Sequence, residues 1–183
     1  MRGWKFMNLG HFENCNTKEE LLEQLIDQYG QNIKRLTYTY VKNWSIAEDL
    51  TQEIFISCYV NLERFRGESS YKTWIYKIAI NKCKDYIKSK WYRYGIQFDK
   101  VMDKLSGRNL SLDEQLILKE DDYRLSQQVL SLTEKYREMI ILYYYEDLRI
   151  WEIEELTGIK QETIKTRLRR AKQQLRKKIG GSE

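Results

Sequence analysis

RIWEIEELTGIKQETIKTRLRRAKQQLRKK, residues 149–178, is the stretch that decides the fold of this chain. Residues 149–157 read as one short helix, Gly158 as a tight turn, and 161–178 as a second, very basic helix. Two helices joined by a short turn containing Gly form the geometry that lays the second helix in the major groove of DNA. Ile153, Ile159, Ile164, Leu168, Ala171 and Leu175 recur at helical spacing and bury one face. Lys165, Thr166, Arg169, Arg170, Lys172 and Arg176 fall off that stripe, toward solvent or phosphate. Between 160 and 178 nine Lys/Arg stand against a single acid, Glu162. A solvated basic helix is the simpler account of such a charge run. It requires neither the apolar stripe, nor the Gly, nor a preceding helix of matching length. The pattern therefore points to duplex DNA as the ligand of this end of the chain.

Outward from this motif, 183 residues allow one domain or two small ones, and a hydrophobic fraction of 42% supports a buried core. The chain has no proline, and nearly every apolar run has helical periodicity, which predicts an all-α protein. No run approaches the roughly 18 apolar residues of a membrane span, and residues 1–10 lack a secretory h-region. Met7 is a second candidate start. Cys15, Cys58 and Cys83 are odd in number, with no CxxC pair, and read as core thiols in a reducing compartment. With His11 the only histidine and no Gly-rich phosphate loop, neither an enzyme nor a cofactor is expected.

Residues 72–93 carry a net +6 and residues 160–178 a net +8 of a formal total of +5, leaving −9 for the remainder. Two basic patches on an otherwise acidic chain imply two contacts with nucleic acid and a further surface for another partner.

The chain divides into an extension (1–16), a first helical domain (17–93), a linker (94–111) and a second domain (112–183) that holds the helix-turn-helix. Leu22, Leu25, Ile26, Tyr29, Ile33 and Leu36 mark a first helix, with an interruption near Gly30. Ser45, with Glu48 three residues on, reads as a capping box opening a second helix that runs to about Leu62. A loop over 65–71 and a third helix over 72–90 come next. In the second domain helices are expected at 112–130 and 134–145, with Thr133 as N-cap of the latter.

Projected at about 100° per residue, the second helix buries Ala47, Leu50, Ile54, Phe55, Cys58 and Leu62. Its opposite arc mixes Asp49, Gln52, Glu53 and Glu63 with Ile56, Tyr59 and Val60. Apolar residues among carboxylates suit a protein-docking surface, the alternative being a helix buried on both sides. The third helix buries Ile75, Ala79, Cys83, Tyr86 and Ile87 and turns Trp74, Lys77, Asn81, Lys84, Asp85 and Lys88 outward. Lysines track phosphates, and an amide beside aromatics (Tyr71, Trp74, Tyr76, Trp91, Tyr92) suits unstacked bases, although such aromatics also serve as core.

The segments AEDLTQEIFISCYVNLERFRGESSYKTWIYKIAINKCKDYIKSK (47–90) and LTEKYREMIILYYYEDLRIWEIEELTGIKQETIKTRLRRAKQQLRKKI (132–179) resemble the second and fourth conserved regions of the extracytoplasmic-function (ECF) sigma factors, two-domain promoter-recognition subunits of bacterial RNA polymerase. The resemblance implies two helical domains joined by a flexible linker and a non-catalytic role in promoter-specific initiation. It implies docking on the clamp helices of the largest polymerase subunit through Asp49, Gln52, Glu53, Phe55, Ile56 and Tyr59, with the polymerase flap as partner of the C-terminal domain. It implies capture of a flipped −10 base by Phe65, Arg66, Gly67, Ser69 and Tyr71, with Trp74, Lys77, Asn81, Lys84 and Lys88 alongside. Lys165, Thr166, Arg169 and Arg170 are implied to read the −35 duplex, with Arg167 structural or on phosphate. An anti-sigma factor is a further implied partner, and the implied location is cytoplasmic, at the nucleoid or held at the membrane by that inhibitor.

Some positions depart from the family pattern. Thr133 stands where the family has Pro, Glu154 where it has Ala in the first helix of the motif, and Glu162 at the start of the recognition helix. A carboxylate at a helix contact requires a partner or an outward rotamer. Two other readings are an autonomous helix-turn-helix regulator and a Mg²⁺-dependent nucleic-acid enzyme using Glu48, Asp49 and Glu53. Neither explains two basic patches separated by a linker as well.

Overall fold

Thr17 starts the first helix by accepting a hydrogen bond from the Glu20 amide (3.1 Å). The computed structural model describes residues 15, 17–94 and 120–179, and every element among them is helical. Helix α1 (Lys18–Val41) ends on Lys42 in the left-handed conformation (φ 51°). Helix α2 (Trp44–Asn61) begins at once, with Tyr38 stacked on Trp44 at 4.0 Å across the junction. A 3-10 turn (Leu62–Arg64) and an irregular loop lead to α3 (Tyr71–Tyr94). These three helices pack mutually around Leu25, Ile33, Leu36, Ala47, Leu50, Ile54, Cys58, Ile75, Ala79, Ile80 and Cys83, all buried. Each leucine and isoleucine among them contributes about 1.5–3 kcal/mol of burial.

The second domain comprises α4 (Glu120–Leu130), α5 (Glu134–Ile140) prolonged by a π turn (Ile141–Tyr145), α6 (Ile150–Thr157) and α7 (Gln161–Ile179). Helix α7 packs on α4, α5 and α6 through Ile164, Leu168, Ala171 and Leu175. The buried Arg137 guanidinium donates to the carbonyls of Leu130 and Leu132, both at 3.0 Å, and so fixes the α4–α5 turn. This satisfies chain-end carbonyls that no helix bond can reach.

Several local expectations change. Helix α1 runs unbroken through Gly30, whose missing Cβ would meet only Ile26 at an ordinary 3.7 Å. The cap of α2 is Asn43, accepting from Ile46 N at 3.1 Å, not Ser45; Glu48 pairs with Lys34 at 3.0 Å. Thr133 occupies the N-cap of α5 without a side-chain bond; its carbonyl accepts from Tyr136 and Arg137. The helix expected over 134–145 turns π at Ile141, and Glu146 N reaches back to Ile141 O at 3.0 Å. Tyr94 closes α3. The extension apart from Cys15, with Met7 and His11, the linker from 95 onward and the opening turns at 112–119 lie outside the described residues, as do the side chains of Trp91 and Tyr92.

Candidate nucleic-acid interface

The helix-turn-helix is built from local chemistry. The Arg149 amide, at the N-cap of α6, donates to the Glu152 carboxylate at 2.7 Å, satisfying an orphan donor of the first turn. Gly158 ends α6 with φ 70°, a conformation in which an L side chain costs about 1–2 kcal/mol. Its amide closes on Glu154 O at 2.8 Å. Ile153 and Leu156 are buried beneath, and Ile159 is half-buried.

Glu154, the departure from the family's Ala, finds its partner here. Its carboxylate accepts from the Gln161 side chain at 2.7 Å and from the Gln161 backbone amide at 3.3 Å. It therefore caps the first turn of α7 from the preceding helix, at the end where the helix dipole favours negative charge. Glu162 is exposed and pairs with Lys165 at 2.7 Å, which lessens its repulsion of a phosphate.

Along α7, Lys165, Arg169, Arg170, Lys172 and Arg176 are exposed, while Thr166 and Arg167 are half-buried. The basic face and the buried stripe thus occupy opposite sides of one helix. Arg167 turns toward an open cleft that it lines together with Lys84 and Glu138.

In the first domain Trp74, Lys77, Asn81, Lys84 and Lys88 succeed one another at three- and four-residue steps, one face of α3. Lys77, Asn81 and Lys88 are exposed and Trp74 is half-buried. At the head of this stripe Phe65 stacks on Tyr71 (4.6 Å between centroids) and tilts against Trp74 (5.1 Å). Ser70 Oγ accepts from Thr73 N at 3.1 Å and anchors the loop to α3. Gly67 takes φ 71°, and the Arg66 side chain, beside Glu68, projects into solvent; Ser69 is half-buried. Tyr71 and Tyr76 are buried core residues, so of the two roles the sequence leaves open to these aromatics, stacking on bases or core, they take the second.

The outer face of α2 exposes Asp49, Gln52 and Glu53, with Ile56 63% and Val60 64% accessible. Phe55, expected on this surface, is buried, because its position projects to the core arc with Ile54 and Cys58. Tyr59 is held from α1: its hydroxyl donates to Glu19 at 2.5 Å, and Lys18 Nζ lies 4.1 Å from its ring centroid. Glu48 and Glu53 pair with Lys34 and Lys82 rather than with each other.

Sequence reasoning missed the junction between the two domains, where α1 meets α5 and α3 meets α6. Glu138 and Glu146 are both buried. Glu138 accepts from the Tyr40 hydroxyl at 2.6 Å and pairs with Lys84 at 2.9 Å. Glu146 accepts from the Tyr76 hydroxyl and from Asn32 Nδ2 (3.5 Å), and its backbone carbonyl accepts from Lys72 Nζ at 2.5 Å. Burial raises the Glu146 carboxyl above its ordinary range, against the opposing pull of Tyr76 and Lys72. Burial likewise pushes the Tyr40 hydroxyl well up, reinforced by Glu138. The available signal was an acid set directly before the apolar run Met139–Leu142.

Residues 25–93 match the sigma-70 region 2 family and residues 123–175 the sigma-70 region 4 family. The chain is 30% identical over 168 residues to the ECF RNA polymerase sigma factor SigW of Bacillus subtilis, covering 88% of this chain and 90% of that one. It is 33% identical over 158 residues to the RNA polymerase sigma factor SigV of the same organism, covering 85% and 89%. Its fold is similar to the sigma factor RpoE solved with the anti-sigma factor NepR from Bartonella quintana (TM-score 0.72, 17% identity, 90% and 99% covered). It is also similar to CnrH solved with the cytosolic domain of CnrY (TM-score 0.63, 16% identity, 90% and 91% covered).

Proposed function

This chain belongs to the extracytoplasmic-function family of sigma-70-type RNA polymerase sigma factors, and we propose how its residues divide the work of promoter-specific initiation. The family is one of transcription regulators rather than enzymes. Residues 17–93 form the polymerase-docking and −10 domain, 94–111 the linker, and 112–183 the −35 domain. Asp49, Gln52, Glu53, Ile56 and the edge of Tyr59 meet the clamp helices of the largest polymerase subunit. Phe65, Arg66, Gly67 and Ser69 receive a −10 base that has left the stack, with Tyr71 supporting Phe65 from beneath. Trp74, Lys77, Asn81, Lys84 and Lys88 track the neighbouring strand. Unstacking a base costs a few kcal/mol, which the loop contacts offset.

The −35 duplex is read by Lys165, Thr166, Arg169 and Arg170, with Arg167 on phosphate. The polymerase flap is the partner of this second domain. The observation that carries the reading is α7 itself, whose apolar stripe is buried while Lys165, Arg169, Arg170, Lys172 and Arg176 are exposed. An anti-sigma factor is proposed as a regulatory partner, in line with the complex with the anti-sigma factor NepR in which RpoE was solved. No described helix is long and apolar enough to cross a membrane; work in the cytoplasm, on nucleoid DNA, is proposed.

The test is capture of purified bacterial core RNA polymerase, and then transcription from a promoter library. Holoenzyme formation with initiation at a defined −35/−10 pair supports the reading. Tight duplex binding by the chain alone, without polymerase binding, contradicts it.

A further inference from the structure

We propose that Glu162 and Lys165 together read one C·G base pair of the −35 element, the carboxylate accepting from the cytosine amino group and the ammonium donating to the guanine. The proposal deepens the −35 reading of α7 and rests on it.

Glu162 is the second residue of α7 and the single acid between 160 and 178. In a helix-turn-helix the N-terminal residues of the recognition helix are the ones that meet base edges. At about 100° per residue, Glu162 projects roughly 150° from the centre of the buried stripe formed by Ile164, Leu168, Ala171 and Leu175. Lys165, Thr166 and Arg169 all project within about 60° of it. The face that enters the groove therefore carries a carboxylate near its middle. That side chain is 84% exposed, so its charge is available to a partner outside the chain. An acid in a first turn also favours the helix dipole, but in α7 Glu154 supplies that charge by capping the Gln161 amide.

A carboxylate only accepts hydrogen bonds, and the major groove offers donors at cytosine N4 and adenine N6 alone. The partner on the helix decides between them. The Lys165 ammonium lies 2.7 Å from the Glu162 carboxylate. In a base pair, the amino donor and the oxygen acceptor facing the groove are hydrogen-bonded to each other at about 2.9 Å. The ion pair matches that edge in spacing and in opposite sense, acceptor to donor and donor to acceptor. On a C·G pair the ammonium reaches guanine O6 and N7 together, and no second acceptor flanks the cytosine amino group. On an A·T pair the adenine N7 acceptor repels the carboxylate, and the thymine methyl stands in the way of the ammonium. The charges of Glu162 and Lys165 thus select C·G over A·T, although both pairs present a donor beside an acceptor.

Holoenzyme reconstituted from the full chain and purified core polymerase, transcribing a promoter library randomised over the −35 element, tests this. Wild type is expected to enrich a C·G pair at one position. Glu162→Ala is expected to lose that enrichment roughly ten-fold, with the other positions unchanged. Glu162→Gln, whose amide serves adenine N6 and N7 together, is expected to move the same position toward adenine. Lys165→Ala relaxes the same base pair. Glu162 and Lys165 are both exposed, so wild-type thermal midpoints are expected, and either Glu162 variant decides the matter alone. An unchanged base profile in both Glu162 variants overturns the proposal. So does a uniform gain on every sequence, which would make Glu162 a general repellent of DNA. A Glu162-dependent position that prefers adenine in wild type overturns the choice of cytosine, and loss at different positions in the Glu162 and Lys165 variants overturns their joint reading. A −35 preference that depends on Arg169 but not on Glu162 leaves the −35 reading standing. Wild-type holoenzyme indifferent to the −35 sequence overturns both.

Discussion

Cys58 and Cys83 sit in the three-helix core with thiols pushed up to about 12, chiefly by burial. At pH 8 both are held almost wholly as thiols, and the thiolate is the reactive form. Iodoacetamide on the native protein is therefore expected to modify the half-buried Cys15 first, with Cys58 and Cys83 reacting only on unfolding. Equal rates by mass spectrometry would contradict the core assignment. Single residues also carry the DNA claim. Arg169 is exposed, so Arg169→Ala is expected to weaken −35 recognition by about 1–3 kcal/mol without loss of stability. Competition binding between matched and mismatched −35 duplexes measures it; unchanged preference removes Arg169 from the reading face.

The element where sequence and structure meet most closely is α7. Its stripe at 164, 168, 171 and 175 is legible because a 3.6-residue period over nineteen residues has one solution. What starts it is not legible, because the acceptors come from Glu154 in another helix. Glu154→Ala, although it restores the family's residue, is expected to cost about 1 kcal/mol by leaving the Gln161 amide uncapped. Urea unfolding reads this directly, and a midpoint equal to wild type would remove the cap from the account. In α5 the regular period misleads in the other direction. The Ile141–Tyr145 turn inserts an i→i+5 bond, which rotates the chain beyond Tyr145 by about 100° relative to a regular helix.

At the scale of the whole molecule, the exposed faces of α2 and α7 belong to different domains. Asp49→Ala with Ile56→Ala removes charge and apolar area from α2 while touching no buried residue. The pair is expected to reduce core polymerase capture at least ten-fold, about 1.4 kcal/mol, with the thermal midpoint unchanged. Undiminished capture would move the docking surface elsewhere.

Composition and period by themselves determined the all-helical class, the helix-turn-helix and the inward arc of α2 (Ala47, Leu50, Ile54, Phe55, Cys58), since helical spacing and hydrophobicity are properties of neighbours in the chain. The docking role that the family resemblance added for Phe55 is at odds with that inward arc, and of the two readings open for Tyr76, stacking or core, the structure takes core. Only the tertiary structure decided that Glu154 caps α7, that Asn43 rather than Ser45 opens α2, and that Glu138 and Glu146 reach Tyr40, Lys84, Tyr76 and Asn32. Tyr40 and Glu138 are 98 residues apart and Tyr76 and Glu146 are 70 apart. No local pattern specifies such pairs: a buried carboxylate is stable only where the fold delivers its donors from across the chain.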